Sequence, residues 1–277
     1  MGKLLVAIDI SLNSTAICFN DRKTYKYLSL LNRHSVPYAS GLENIELIEK
    51  HDYLKFLDEI PEIEIELMNR KPVKKVQTTG KGKDKVTTKI NINEYHKTSF
   101  MDSINQSNLT TNAIIDRCKG YDDVEIFIEH YSYNGNSNSD NEIQLHELTA
   151  QIKRNLVTDL LMGNIGRLHV IPGPNIKQLA KEVGLVGEIN INAPPKKETA
   201  KKNSTSYNGL PDKYGMLIAY VNDTNNQDHG LHKMLKAKFD TFVYTVIKKK
   251  APFKQVYSPI NDIIDAHWIM KFAEARF

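Results

Sequence analysis

KLLVAIDISLNSTAICFNDRKTYKYLSLL, residues 3–31, holds three short strands separated by tight polar turns. KLLVAID (3–9) is a brief apolar run that ends on an acid, as a buried strand does at the edge of a core. TAICFN (15–20) and YKYLSLL (25–31) follow, with Asn20-Asp21 as turn chemistry between them. Three such strands in close succession predict an antiparallel meander.

Working outward, VEIFIE (124–129) and LHVI (168–171) read as two further strands. Between them NEIQLHELTAQIKRNLVTDLLM (141–162) places Ile143, Leu148, Ile152, Leu156 and Leu160 at helical spacing. Helices are also predicted for 98–118, from Asn175 to Val183, from Pro211 to Val221, over 231–250 and over 260–275, with a weaker pattern in 42–60. Meander strands followed by strand–helix units predict an α/β fold with a mixed five-stranded sheet, three strands antiparallel and the rest parallel, flanked by helices. The chain reads as a single domain over 1–277 with insertions at about 40–120 and 187–210.

The 277 residues carry a formal net charge of +4, and its distribution is uneven. Residues 42–66 hold nine acids against two lysines, and residues 70–89 hold eight basic residues against one acid. In 72–93, β-branched arms flank Gly80-Lys81-Gly82-Lys83, which predicts a hairpin-like basic arm too polar to join a core. Its lysines Lys74, Lys75, Lys81, Lys83 and Lys85 are candidates for phosphate contacts without sequence preference. Cys18 and Cys118 have no metal-ligand spacing and suggest a reducing compartment. The longest apolar run near the start, Leu4 to Ile8, is too short for a signal peptide or a membrane span, so a cytoplasmic location with no membrane partner is expected.

Four acids carry the candidate chemistry. Asp9 ends the first strand, Glu129 ends the fourth, and Asp262 and Asp265 stand three apart on the last helix. One acid at a strand end is ordinarily a turn residue, and Asp262 could simply cap its helix after Pro259. The set is less common than its members. Converging carboxylates suit Mg2+, with Mn2+ as a substitute, and two ions about 4 Å apart would clamp an in-line displacement at phosphorus.

These segments resemble a known family. VAIDISLNSTAICF (6–19), VEIFIEHYSYN (124–134) and SPINDIIDAHWIMKFA (258–273) are similar to the acidic motifs of RuvC-type Holliday junction resolvases, which have the RNase H-like fold. The resemblance implies that Asp9, Glu129, Asp262 and Asp265 are metal ligands of a homodimeric endonuclease that cuts four-way DNA junctions and leaves a 5′-phosphate and a 3′-hydroxyl. Two weaker matches, VIPGPNIKQLAKEVG (170–184) and GLPDKYGMLIAY (209–220), imply Lys177 near DNA and Lys213 near the scissile phosphate. Tyr131 and Tyr133, just past Glu129, are candidates for stacking on an unpaired base at the branch point, or for ordinary packing. The long spacing between Asp9 and Glu129 departs from simple resolvases and suggests a phage or viral version.

Other readings of the same residues are an ATPase of the actin/Hsp70-like group, a non-catalytic junction scaffold, and a relative that cuts RNA–DNA hybrids. The ATPase reading is disfavoured because DISLNST (9–15) has no glycine and Gly80-Lys81-Gly82-Lys83-Asp84 lacks the hydroxyl residue of a P-loop. The scaffold reading leaves the four acids without a purpose. Nothing in the sequence separates junctions from hybrids.

Overall fold

A computed structural model of the chain describes residues 2–36, 42–69, 76–79, 86–89, 92–130, 140–184, 210–248 and 251–277. The meander is present as β1 (Lys3–Asp9), β2 (Ser14–Asn20) and β3 (Tyr25–Asn32), each antiparallel to the next. The helices α1 (Asn44–Lys50) and α2 (Asp52–Asp58) then lead to β4 (Ile63–Met68), which pairs parallel to β3. On the other side of β1 lie β7 (Asp123–His130) and then β8 (Leu168–Pro172), all parallel.

The sheet therefore has six strands in the order β4-β3-β2-β1-β7-β8, where five were expected. The expected five run in the predicted directions, a mixed arrangement compatible with an RNase H-like fold. The sixth is β4, whose sequence IEIELM lies inside the acidic stretch. Its alternation suits an edge strand. Arg117 Nη2 stands 2.6 Å from Glu64 and 2.8 Å from Glu66, holding their charges against a neighbouring helix.

That helix is α3 (Ile92–Cys118), the longest among the described residues. It covers one face of the sheet together with α4 (Asp140–Asn155), which continues into a π-helical turn, Leu156–Leu160. Leu4, Val6, Ile8 and Ile128 point to this side and bury Ile114, Leu148 and Ile152. Leu5, Ala7, Ala16 and Phe127 point to the other, against α5 (Gly173–Gly184), α6 (Lys213–Asn222) and α8 (Ile260–Glu274). Strands buried on both faces need continuous apolar runs, and β1 and β2 have them. α8 is buried almost all round, with Trp268 Nε1 donating to the Met216 carbonyl at 3.1 Å.

The helix expected over 231–250 is a correction. The helix α7 ends early (Gly230–Ala237), a 3-10 turn follows, and β9 (Val243–Lys248) pairs antiparallel with β10 (Ala251–Val256). The run VYTVI is β-branched and aromatic, a composition that packs on a pleated surface better than on a helix. In the basic arm, β5 (Val76–Thr79) pairs antiparallel with β6 (Val86–Lys89), as the hairpin reading expected. Among the described residues, no helix is long and apolar enough to cross a membrane.

Candidate active site

Parallel pairing of β1 with β7 brings the first two acids together. Ile8 stands opposite Ile128, so Asp9 and Glu129 are the next residues along two adjacent strands. Each shares a face with the residue two before it, Ala7 and Phe127, and both of those point toward α8. α8 presents Asp262 and Asp265 from its first two turns. All four carboxylates, with Lys177 of α5 and Lys213 of α6, line one pocket of about 240 Å³. Ile10, Leu145, Ile176 and Met216 supply its apolar wall.

Asp9 and Asp262 are each only 4% exposed, so the pocket buries like charges at close quarters. Burial pushes the Asp9 carboxyl well above the usual range; repulsion from Asp265, Asp262 and Glu129 adds to it, and Lys213 opposes. Glu129 is pushed up to about 7 by burial and by Asp265, against the pull of Lys177 and Lys213. Asp265 is also raised, by burial first, with Lys213 working against the shift and Asp262 adding to it. For Lys213 the loss of water around the ammonium favours the neutral amine, but Asp265, Asp262 and Asp9 outweigh it and hold the ammonium charged; the side chain as a whole is about half exposed. Its Nζ lies 3.1 Å from Asp262 Oδ1 and 3.3 Å from Asp265 Oδ2.

The donors are all carboxylate oxygens, the set a hard divalent cation takes. Among the described residues, no three Asp, Glu, His or Cys side chains close a metal cage by themselves. Mg2+ does not require one, because it binds through one or two carboxylates and completes its shell with water and phosphate oxygens. The residues present fit such an ion, with the Lys213 ammonium standing between two of the carboxylates.

No family model matches the chain, and no curated protein matches it in sequence. Among solved structures it is similar to Thermus thermophilus RuvC. The likeness covers 98% of this chain and 95% of that one, at 8% identity and a TM-score of 0.36. A likeness that loose decides neither fold nor activity, and no sequence family speaks for a phage or viral origin.

Four supporting positions are not among the site residues that the sequence singles out. Ser258 Oγ donates to Asp262 Oδ2 at 2.8 Å and sets the carboxylate's rotation. Gly173, the first residue of α5, lies against Glu129; a Cβ there would collide with the Glu129 carboxylate oxygen. Gln106 of α3 donates to the Ser11 carbonyl at 3.2 Å, and Thr15 Oγ1 donates to the same carbonyl at 3.0 Å, pinning the turn after Asp9. Gly173 lies within the segment 170–184, but its contact with Glu129 arises from the pairing of β7 with β8 and has no signal in the sequence. Tyr131, Tyr133, Lys74, Lys75, Lys81, Lys83 and Lys85 lie outside the described residues, as do residues 187–209 of the insertion expected at about 187–210.

Proposed function

We propose that this chain is a metal-dependent endonuclease that hydrolyses phosphodiesters of branched DNA, four-way junctions above all. The observation that carries the reading is the convergence of four carboxylates, from three distant segments, in one pocket beside two lysines. Like charges gathered at this depth oppose one another, and a protein gains nothing from them unless a cation or a proton arrives.

Asp9, Glu129, Asp262 and Asp265 would hold Mg2+ or Mn2+, two ions per site. Bound there, the ions would activate water and stabilise the charge that develops on the leaving oxygen. The chain's own groups do the positioning. Ser258 fixes the rotation of Asp262. Gly173 leaves room for the Glu129 carboxylate. Lys177 and Lys213 bring positive charge to the mouth of a pocket that would otherwise repel a phosphate. The basic arm gives a surface for the duplex arms of the substrate. Two symmetric cuts in a four-way junction require two such pockets, so the working form is taken to be a homodimer.

The test is cleavage of a synthetic four-way junction beside linear duplex and RNA–DNA hybrid, with and without Mg2+. Cutting of the junction, dependent on metal and far faster than that of the linear duplex, is the expected result. Preferential cutting of the hybrid would move the assignment to RNA. An inert protein in all arms would remove the nuclease reading.

A further inference from the structure

Resting on the nuclease reading of the pocket, the geometry points to a second role for Lys213: its ammonium is a built-in counter-ion that occupies the place of a divalent cation between Asp262 and Asp265 and must leave when the cation binds. The single nitrogen makes contacts of 3.1 Å and 3.3 Å with one oxygen of each carboxylate. That is how a bridging cation would sit, although at ammonium rather than metal distances.

Three features of the surroundings favour an exchange. Asp262 Oδ2 accepts from the Ser258 hydroxyl at 2.8 Å, and Lys213 holds the other oxygen, Oδ1. Ser258 keeps Asp262 in place when the ammonium withdraws. Lys213 opens α6, and the helix start is fixed independently by Asp212, whose side chain accepts from the Gly215 amide at 2.8 Å. The lysine's backbone is therefore anchored while its side chain, 53% exposed, has solvent to swing into. Withdrawal takes the ammonium off the two carboxylates toward solvent, the side from which a substrate phosphate would arrive. Metal loading and presentation of Lys213 to the substrate are then one event.

The consequence is that Lys213 weakens metal binding in the absence of DNA. Mn2+ titration of the DNA-free protein, followed by the electron paramagnetic resonance signal of the free ion, measures this directly. Lys213→Met should bind Mn2+ roughly tenfold more tightly than wild type, the scale of releasing one charge-assisted hydrogen bond. Lys213→Arg, which retains the charge and the reach, should stay near wild type. Lys271→Met, which removes a lysine beside Glu274 at the far end of α8, should leave the affinity unchanged. Thermal melting gives a second readout. Lys213→Met should melt lower than wild type without metal and gain more from saturating Mn2+. Should Lys213→Met fail to fold, Lys213→Gln carries the same expectations.

Equal or weaker Mn2+ affinity in the neutral variants, with wild type binding normally, would overturn the counter-ion role and leave the metal site intact. Absence of Mn2+ binding by wild type and variants alike would overturn both this inference and the nuclease reading beneath it.

Discussion

The last helix carries two buried polar clusters that follow opposite rules. Its first turns present Asp262 and Asp265 to the carboxylate pocket. One turn on, His267 is fully buried among Tyr25, Tyr27 and Tyr220. In the second cluster burial drives each group to its neutral form. His267 is pushed well down by burial, with Lys271 and His229 adding to the shift, and Tyr27 is pushed well up. Neutral groups do not repel one another, and the Tyr27 hydroxyl is hydrogen-bonded to His267 Nδ1 at 2.8 Å. In the carboxylate pocket burial pushes the same way, yet the groups gathered there repel when charged, and lysines are needed to hold them. The contrast separates a cluster whose neutral groups can lie buried side by side from one whose charges need a counter-ion.

The largest effect should come from removing a carboxylate. Asp9→Asn is expected to lower junction cleavage by more than about 10²-fold, since even an outer-shell change at a metal site costs about 10–100-fold. Binding of the junction should survive, because on the proposed reading the basic arm, not Asp9, meets the duplex phosphates. The variant should also melt no lower than wild type, because it removes a buried repelling charge. Normal cleavage would mean that the pocket is not the site of chemistry. Gly173→Ala is next. A methyl group there meets Glu129 and displaces its carboxylate. Misplacement by about 1 Å can cost on the order of 10²-fold in rate. Rates measured at saturating metal, unchanged from wild type, would show that Glu129 tolerates the shift or is not needed.

The acids were legible in the sequence because each ends a short apolar strand or stands at helical spacing, features that need no tertiary information. The meander and the two parallel strands were legible for the same reason. What escaped depends on contacts between distant segments. The alternation in Ile63–Met68 was legible only as an acidic stretch; the partners that make it a strand are β3 and Arg117. α3 begins at Ile92, ahead of the helix expected over 98–118; in 94–98 Tyr95 alone is buried, so no apolar stripe announced that first part. Val243–Lys248 follows a genuine short helix, and a helical reading ran on past its end. Ser258 and Gly173 carry no chemistry of their own, and their value appears only where Asp262 and Glu129 arrive beside them.

The two clusters should also tilt stability with pH in opposite directions. A carboxyl whose folded pKa is raised binds its proton more tightly in the native state, so it favours folding at low pH. Glu129, held at about 7 against an ordinary 4.5, should withdraw stability as pH rises from 4.5 through 7, by at most about 3 kcal/mol. His267, pushed down, acts the other way and withdraws stability as pH falls below its ordinary 6.5. Chemical denaturation of the metal-free protein across this range measures the sum. Glu129→Gln should flatten the decline toward neutral pH, and Mg2+ should lift wild-type stability near pH 7. A Glu129→Gln profile identical to wild type would show that Glu129 titrates normally.

The smallest effect on activity should come from the neutral cluster. Tyr27→Phe removes the hydroxyl that meets His267 Nδ1 and leaves a fully buried imidazole nitrogen without that partner. Such a loss costs about 1–3 kcal/mol of stability, the penalty for an unsatisfied buried polar atom. Cleavage at a temperature where the variant remains folded should match wild type, because Tyr27 is not among the residues that line the carboxylate pocket. A fall in cleavage with unchanged stability would be the informative failure. It would mean that α8 transmits the state of His267 to Asp262 and Asp265, so that the two clusters are coupled.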